Sequence, residues 1–106
     1  DSYMPAQDEE TLLIVESDPG SRRALVSFLK SDYKVFSAKS GKEAWTILAK
    51  EKIDLVLFDE GVPDIKGVDF FREARVRHPE VVRILVTESR DFPDIMRIIK
   101  EAAVYQ

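Results

Sequence analysis

The sequence predicts an α/β fold in which helices cover both faces of a parallel sheet. Short apolar runs of strand length alternate with stretches whose apolar residues recur at helical spacing. The runs are almost continuously apolar, which is typical of strands that are buried on both faces. Strands that are joined by helices pair in parallel, because each crossover helix returns the chain to the end of the sheet where the previous strand began. The 106 residues suit one domain.

The first half of the chain is predicted to hold two strands and two helices. Residues 12–15 form an uninterrupted apolar run, and a helix follows with Asp18 as its N-cap and Pro19 at its first position. Residues 33–38 are predicted to form a second, weaker strand. The next helix begins at residues 40–43, which have the spacing of a capping box.

The second half repeats the alternation. Residues 53–58 form the strongest predicted strand, and the third helix must end before Pro79. Residues 83–86 are the fourth predicted strand, and the fourth helix has Pro93 in its first turn. Residues 104–105 are expected to begin a fifth strand. By analogy with doubly wound sheets, we predict the strand order 2-1-3-4-(5), with the last strand and helix missing or incomplete.

Composition excludes several classes of function and location. The net charge of -4 argues against direct binding to nucleic acid or to an anionic membrane. No apolar run approaches the roughly 20 residues that span a bilayer. The absence of cysteine excludes disulfides and thiolate metal sites and suits the cytoplasm, where we expect the protein to reside. The polar, acidic residues 1–10 are predicted to form a flexible segment before a domain over residues 11–106.

Acidic and hydroxyl side chains follow three of the predicted strands. In a doubly wound sheet, ligands bind beyond the carboxyl ends of the strands where the winding reverses, here between strands one and three. Glu16 and Asp59 end those strands, and Thr87 ends strand four at the same edge. Carboxylates so placed can hold Mg²⁺, and a carboxylate can attack a phosphoryl group to form an acyl phosphate. A hydroxyl at this edge can hydrogen-bond a phosphoryl oxygen.

Taken in order, these motifs resemble the receiver domain of response regulators in two-component signal transduction. Each motif is common alone, whereas their joint order over nearly all of residues 11–106 is specific. The segments that carry the resemblance are residues 12–19, residues 54–59 with Pro63 and Gly67, residues 84–87 and residues 102–106.

The resemblance implies a flavodoxin-like fold and a role for each site residue. Asp59 would be the phosphoacceptor and Thr87 the switch hydroxyl. Glu16, Asp59 and the backbone carbonyl of Gly61 would bind Mg²⁺. The family's phosphate-binding lysine would fall beyond Gln106.

Two departures from the family pattern affect this pocket. Receivers usually carry two adjacent aspartates where this chain has Glu16 and Ser17, so a charged metal ligand is lost and cation binding should weaken. Asp18 is expected to turn its oxygens to helix N–H groups and not to the metal. Glu88 stands where a small residue usually follows the switch hydroxyl, and it either crowds the phosphoryl pocket or points to solvent. The sequence therefore predicts a receiver whose phosphorylation is slowed or lost.

Three functions remain open. The first is a receiver without enzymatic activity of its own, which takes part in a phosphorelay. A sensor histidine kinase or phosphotransfer protein phosphorylates it on Asp59, and it then acts on an output domain or protein partner. The second is a degenerate pseudo-receiver that binds a partner without phosphate. The third, a nucleotide- or flavin-binding enzyme, is disfavoured because no glycine-rich phosphate loop follows strand one.

The predicted fold also bears on assembly. Without a complete fifth strand and helix, strand four and apolar side chains would be uncovered. We expect that the chain continues beyond Gln106; the alternative is that a second copy supplies the cover, as a homodimer or by strand exchange.

Overall fold

The computed structural model describes residues 10–79, 82–88 and 91–104. Within these ranges, four strands alternate with four helices. The strands are β1 Thr11–Val15, β2 Lys34–Ala38, β3 Leu55–Asp59 and β4 Arg83–Thr87. The helices are α1 Pro19–Leu29, α2 Gly41–Lys50, α3 Gly67–Arg77 and α4 Phe92–Val104. The predicted flexible segment lies almost wholly outside the described residues, as does Tyr105.

The four strands form one parallel sheet in the order β2-β1-β3-β4. The winding therefore reverses between β1 and β3, as predicted, and the doubly wound fold class is confirmed. In the register of the sheet, Val15 lies opposite both Ala38 and Phe58. At the other side of β3, Asp59 lies opposite Thr87. This register aligns the carboxyl ends of β1, β3 and β4, where the candidate site lies.

Both faces of the sheet are buried, which explains the continuous apolar runs of β1 and β3. One face packs against α2 and α3, and the other packs against α1 and α4. The buried residues of the α2 and α3 face are Leu13, Val15, Ala38, Ala44, Leu48, Ile53, Val56, Phe58, Val62, Phe70 and Ala74. Those of the α1 and α4 face are Leu12, Ile14, Leu25, Leu29, Leu55, Leu57, Ile95 and Ile99.

The predicted helix starts are confirmed by their capping hydrogen bonds. The N–H of Ser21 donates to Asp18 Oδ2 at 2.7 Å. At α2, the N–H of Glu43 donates to Ser40 Oγ at 3.1 Å. The Glu43 carboxylate in turn accepts the N–H of Lys39 at 2.8 Å. These side chains satisfy N–H groups that have no partner inside a helix.

The end of the fourth helix corrects the sequence prediction. Val104 belongs to α4 and does not begin a strand. The short apolar run that suggested a strand continues a helical pattern, because Ile95 and Ile99 are buried and Ala102 packs against the same cluster. A short apolar run does not distinguish a strand from a buried helix segment.

The position of α4 is a second difference from expectation. The step from β3 to β4 places α3 on the face that α2 also covers. If a fifth strand lay beside β4, the chain would step from β4 in the same direction as from β3 to β4. A right-handed crossover would then place α4 on the face that α2 and α3 cover. Instead, α4 packs beside α1. On the α1 face, the expectation of uncovered apolar side chains is therefore wrong.

The lengths and compositions of the helices also bear on membrane insertion. In the part of the chain that the structure describes, no helix is both long and apolar enough to cross a bilayer.

Candidate functional site

The candidate site lies at the carboxyl edge of the sheet, where three predicted residues come together. Glu16 directly follows β1, Asp59 ends β3 and Thr87 ends β4. Glu16 is 3% exposed and Asp59 is 7% exposed, and they are the buried charged residues of the described part of the chain. Burial of a carboxylate is costly unless hydrogen bonds or opposite charges compensate it. Two such groups at adjoining strand ends therefore indicate a functional site.

Backbone N–H groups hold both carboxylates in place. The N–H of Gly61 donates to Asp59 Oδ2 at 2.8 Å. The N–H of Asp18 donates to Glu16 Oε2 at 3.0 Å. A further bond of 3.1 Å from the N–H of Val62 to the carbonyl of Asp59 tightens the turn after β3. Each carboxylate is thus fixed by the loop that follows its own strand.

Ser17 connects these two loops. Its hydroxyl donates to the carbonyl of Gly61 at 3.3 Å. This carbonyl is the oxygen that the receiver resemblance assigns to the metal. The Oδ2 of Asp18 caps α1, as predicted. Among the described residues, Glu16 and Asp59 are the buried carboxylates of this edge, and Ser17 places a hydroxyl beside them.

The donor set is chemically suitable for Mg²⁺ but low in charge. Among the described residues, no group of three or more His, Cys, Asp and Glu side chains could hold a metal ion. Proteins usually bind Mg²⁺ through one or two carboxylates and leave it several water ligands. Glu16, Asp59 and the Gly61 carbonyl meet this minimum and fit the ion.

Thr87 and Glu88 lie on the other side of Asp59. Thr87 is half-buried, and its carbonyl accepts the N–H of Glu60 at 3.4 Å. This bond joins the end of β4 to the turn that follows the candidate phosphoacceptor. Glu88 is exposed, which favours the solvent-facing alternative over crowding of the pocket.

Arg22 is a site residue that the sequence did not reveal. Its Nη1 donates to the carbonyls of Glu16 at 2.8 Å and Ser17 at 3.3 Å. The guanidinium thus supports the loop between β1 and α1 from the first turns of the helix. No motif predicted this, because an arginine near a helix start is ordinarily read as a solvated side chain.

Asp64 was also missed, and it anchors the loop between β3 and α3. Its carboxylate accepts the N–H groups of Gly41 at 2.9 Å and Lys42 at 3.0 Å, so it caps α2 from another loop. The hydrogen bond from Gly41 is the main cause that lowers the pKa of Asp64 below its ordinary value. The contact joins segments more than 20 residues apart, so no local pattern predicts it.

Gly67 fixes the other end of this loop by its lack of a side chain. A Cβ at this position would lie 2.7 Å from Cγ1 of Val86, well inside van der Waals contact. The start of α3 can therefore approach β4 closely because residue 67 is glycine. The loop that carries Gly61 is held at both ends.

Comparison with known proteins agrees with this geometry. The family model for the response regulator receiver domain matches residues 12–106. The hydrogenase transcriptional regulatory protein HoxA of Cupriavidus necator is 34% identical over 92% of this chain. The match spans 20% of HoxA, so the chain covers about a fifth of that relative. Sporulation initiation phosphotransferase F of Bacillus subtilis is 32% identical over 87% of this chain and 74% of its own.

A solved structure shows the same fold. The response regulator protein TrrA of Thermotoga maritima, in complex with Mg²⁺ and beryllofluoride, superposes with a TM-score of 0.75 at 22% identity. The superposition covers 87% of this chain and 97% of TrrA. Together with the family match, this shows that the chain belongs to the response regulator receiver family and is a receiver domain of the two-component type.

Proposed function

We propose that Asp59 accepts a phosphoryl group from a sensor histidine kinase or a phosphotransfer protein. The observation that carries this proposal is the placement of Asp59. It is a buried carboxylate that ends β3, lies in register with Thr87 and adjoins β1, the strand that Glu16 directly follows. The family membership of the chain supports the same chemistry.

The proposed transfer is a displacement at phosphorus. A carboxylate oxygen of Asp59 forms a bond to phosphorus while the phosphorus–nitrogen bond of a phosphohistidine donor breaks. The imidazole leaves with the electron pair and takes up a proton. Mg²⁺ held by Glu16, Asp59 and the Gly61 carbonyl would neutralise charge on the phosphoryl oxygens. The hydroxyl of Thr87 would then donate to one of those oxygens.

The phosphorylated state would act through the elements next to Thr87. A shift of Thr87 would be passed to the end of β4 and to α4, and it would change a surface that a partner reads. The partner is an output domain or a separate protein, and we place this exchange in the cytoplasm. The relationship to HoxA supports an output in transcriptional regulation, since that relative is a transcriptional regulatory protein.

A second candidate function is binding to a partner without phosphate. The hydrogen bond from Ser17 to Gly61 favours it, because the bond joins the two loops of the pocket without a metal. In this alternative the pocket is a structural remnant and the domain works as an interaction module, alone or as a homodimer.

Amide NMR with Mg²⁺ and beryllofluoride tests the proposal. The amides of Gly61 and Thr87 should shift in the wild-type protein and stay unchanged in Asp59→Asn. The Gly61 amide is the more informative probe, because its N–H donates to Asp59 Oδ2. No shift in the wild-type protein at millimolar Mg²⁺ would reject phosphorylation and support the interaction module. Shifts that require an added nucleotide would instead support the nucleotide-binding enzyme.

A further inference from the structure

The basic residues of this acidic chain are unevenly distributed. Residues 21–42, which include most of α1, all of β2 and the start of α2, hold six of the 16 Lys and Arg residues. The same segment holds one of the 20 Asp and Glu residues, Asp32. Its local net charge is +5, in a chain whose net charge is -4. The remainder of the molecule is therefore strongly acidic, and α1 with the outer edge of the sheet forms a positive region.

A groove lies within this region, between α1 and the edge strand β2. It has a volume of about 370 Å³ and opens to solvent. We call it the basic groove. Its lining residues are Arg22, Arg23, Val26, Ser27, Lys30 and Ser37. Three cationic side chains, two hydroxyls and one apolar side chain thus line one concave surface.

Three arginines of α3 and α4 form ion pairs with acidic side chains of their own helices. On α3, Arg72 pairs with Asp69 and Arg77 pairs with Glu73. On α4, Arg97 pairs with Asp94. These arginines are neutralised by acidic residues three or four positions away, as is common on solvated helices.

No such neutralisation is available to α1. The helix contains no Asp or Glu, and within the described residues neither Arg23 nor Lys30 forms an ion pair with a carboxylate. Arg22 is committed to the carbonyls of Glu16 and Ser17. Two cations that face one groove without a counter-charge create a site for oxyanions.

We infer that the basic groove binds an acidic segment of a protein partner. In this complex, carboxylates of the segment pair with Arg23 and Lys30, and the hydroxyls of Ser27 and Ser37 donate further hydrogen bonds. The inference rests on charge complementarity and on the groove itself. It does not depend on phosphorylation of Asp59 and holds for either function proposed above.

The groove favours a peptide over nucleic acid for two reasons. No aromatic side chain lines it, whereas proteins that bind single strands stack bases on aromatic rings. The acidic remainder of the chain would repel a continuous phosphate backbone beyond the groove. A short acidic segment can end where the positive region ends.

Fluorescence anisotropy tests the inference directly. The probe is a short labelled peptide in which Glu alternates with Ser, and its reference is the same peptide with Gln in place of Glu. The double variant R23Q/K30Q should weaken binding of the Glu peptide by about tenfold, as expected for the loss of two exposed ion pairs. The control R72Q/R75Q removes the same charge from α3 and should change binding by less than about twofold.

The remaining outcomes would overturn the inference. If both double variants weakened binding equally, only the net charge of the domain would matter. If the Gln peptide bound as tightly as the Glu peptide, the groove would not recognise carboxylates. Tighter binding of a short single-stranded oligonucleotide through Arg23 and Lys30 would assign the groove to nucleic acid. If the Glu peptide did not bind at all, the inference that the basic groove binds an acidic segment would also be rejected. Circular dichroism of each variant verifies that it is folded.

Discussion

The hydroxyl of Ser17 donates a hydrogen bond of 3.3 Å to the carbonyl of Gly61. The bond links the loop after β1 to the loop after β3, and these two loops frame Asp59. The side chain at position 17 therefore contributes an inter-loop contact where most receivers contribute a charged metal ligand. The same residue explains why the donor set of the pocket is low in charge.

Replacing Ser17 by Asp should strengthen Mg²⁺ binding by about tenfold, because a third carboxylate joins the donor set. Isothermal titration calorimetry with MgCl₂ measures the change. Ser17→Asn is the matched control, since it has a similar size without the charge and should leave the Kd near that of the wild-type protein. Equal Mg²⁺ affinity in the Asp and Asn variants would refute this role of position 17.

Asp64 should make the stability of the domain depend on pH in the acid range. The hydrogen bond from Gly41 lowers the pKa of Asp64, so the folded carboxyl titrates below the unfolded one. The stability that it contributes is therefore complete above the unfolded pKa of about 3.9 and is lost as pH falls through the lower folded pKa. Asp64→Asn should cost on the order of 1 kcal/mol at pH 7, similar to the loss of a helix cap.

Urea unfolding of the wild-type protein and Asp64→Asn, at neutral pH and in acid, measures this dependence. The difference in unfolding free energy should shrink as the pH falls. Glu51→Gln is the control at the other end of α2, where loss of a negative charge should be neutral or slightly stabilising. A constant difference between the wild-type protein and Asp64→Asn at every pH would contradict the assigned role.

Gly67→Ala should destabilise the domain by about 1 kcal/mol, the low end of the cost of overpacking, because the exposed Val86 side chain must shift to admit the methyl group. The added Cβ would meet Cγ1 of Val86 at 2.7 Å. Combining it with Val86→Ala should recover part of the loss, because the clashing methyl groups are removed. Thermal unfolding compares these variants.

Gly20→Ala controls for the general effect of adding a methyl group to a helix start. A Cβ there would lie 3.4 Å from Asp18 Oδ2, an ordinary contact. Its stability should change by no more than about 0.5 kcal/mol. A similar cost for both glycine substitutions would show that the approach of α3 to β4 is not the cause.

Ile99→Ala should cost about 2–5 kcal/mol, because Ile99 is fully buried where α4 packs beside α1. Ile98 is half-buried on the same helix, and Ile98→Ala should cost less. Urea unfolding of both variants measures the loss of unfolding free energy at each position. If Ile98→Ala were the more damaging change, α4 would present a different side to the sheet.

Much of the fold could be predicted from local patterns. The apolar runs of β1 and β3 are continuous because both faces of these strands are covered. Asp18 and Ser40 marked helix starts because capping depends on residues within one turn. The site residues Glu16, Asp59 and Thr87 followed from the strand ends once the sheet was taken as parallel.

The features that were missed depend on contacts between distant segments. Asp64 caps a helix more than 20 residues earlier in the chain, and Arg22 hydrogen-bonds backbone carbonyls, which have no side-chain signature. The prediction that a strand begins at Val104 was wrong, because a short apolar run is compatible with both a strand and a helix. Which face α4 covers depends on the packing of the whole sheet, so sequence periodicity could not decide it.

The central claim is that Asp59 is the phosphoacceptor in a pocket that Ser17 has weakened. Intact-mass spectrometry after incubation with a small-molecule phosphodonor and Mg²⁺ tests it most directly. We expect slow addition of one phosphoryl group to the wild-type protein, faster addition to Ser17→Asp and none to Asp59→Asn. Modification of Asp59→Asn at the wild-type rate would contradict the assignment of Asp59, and rapid modification of the wild-type protein would contradict the weakened pocket.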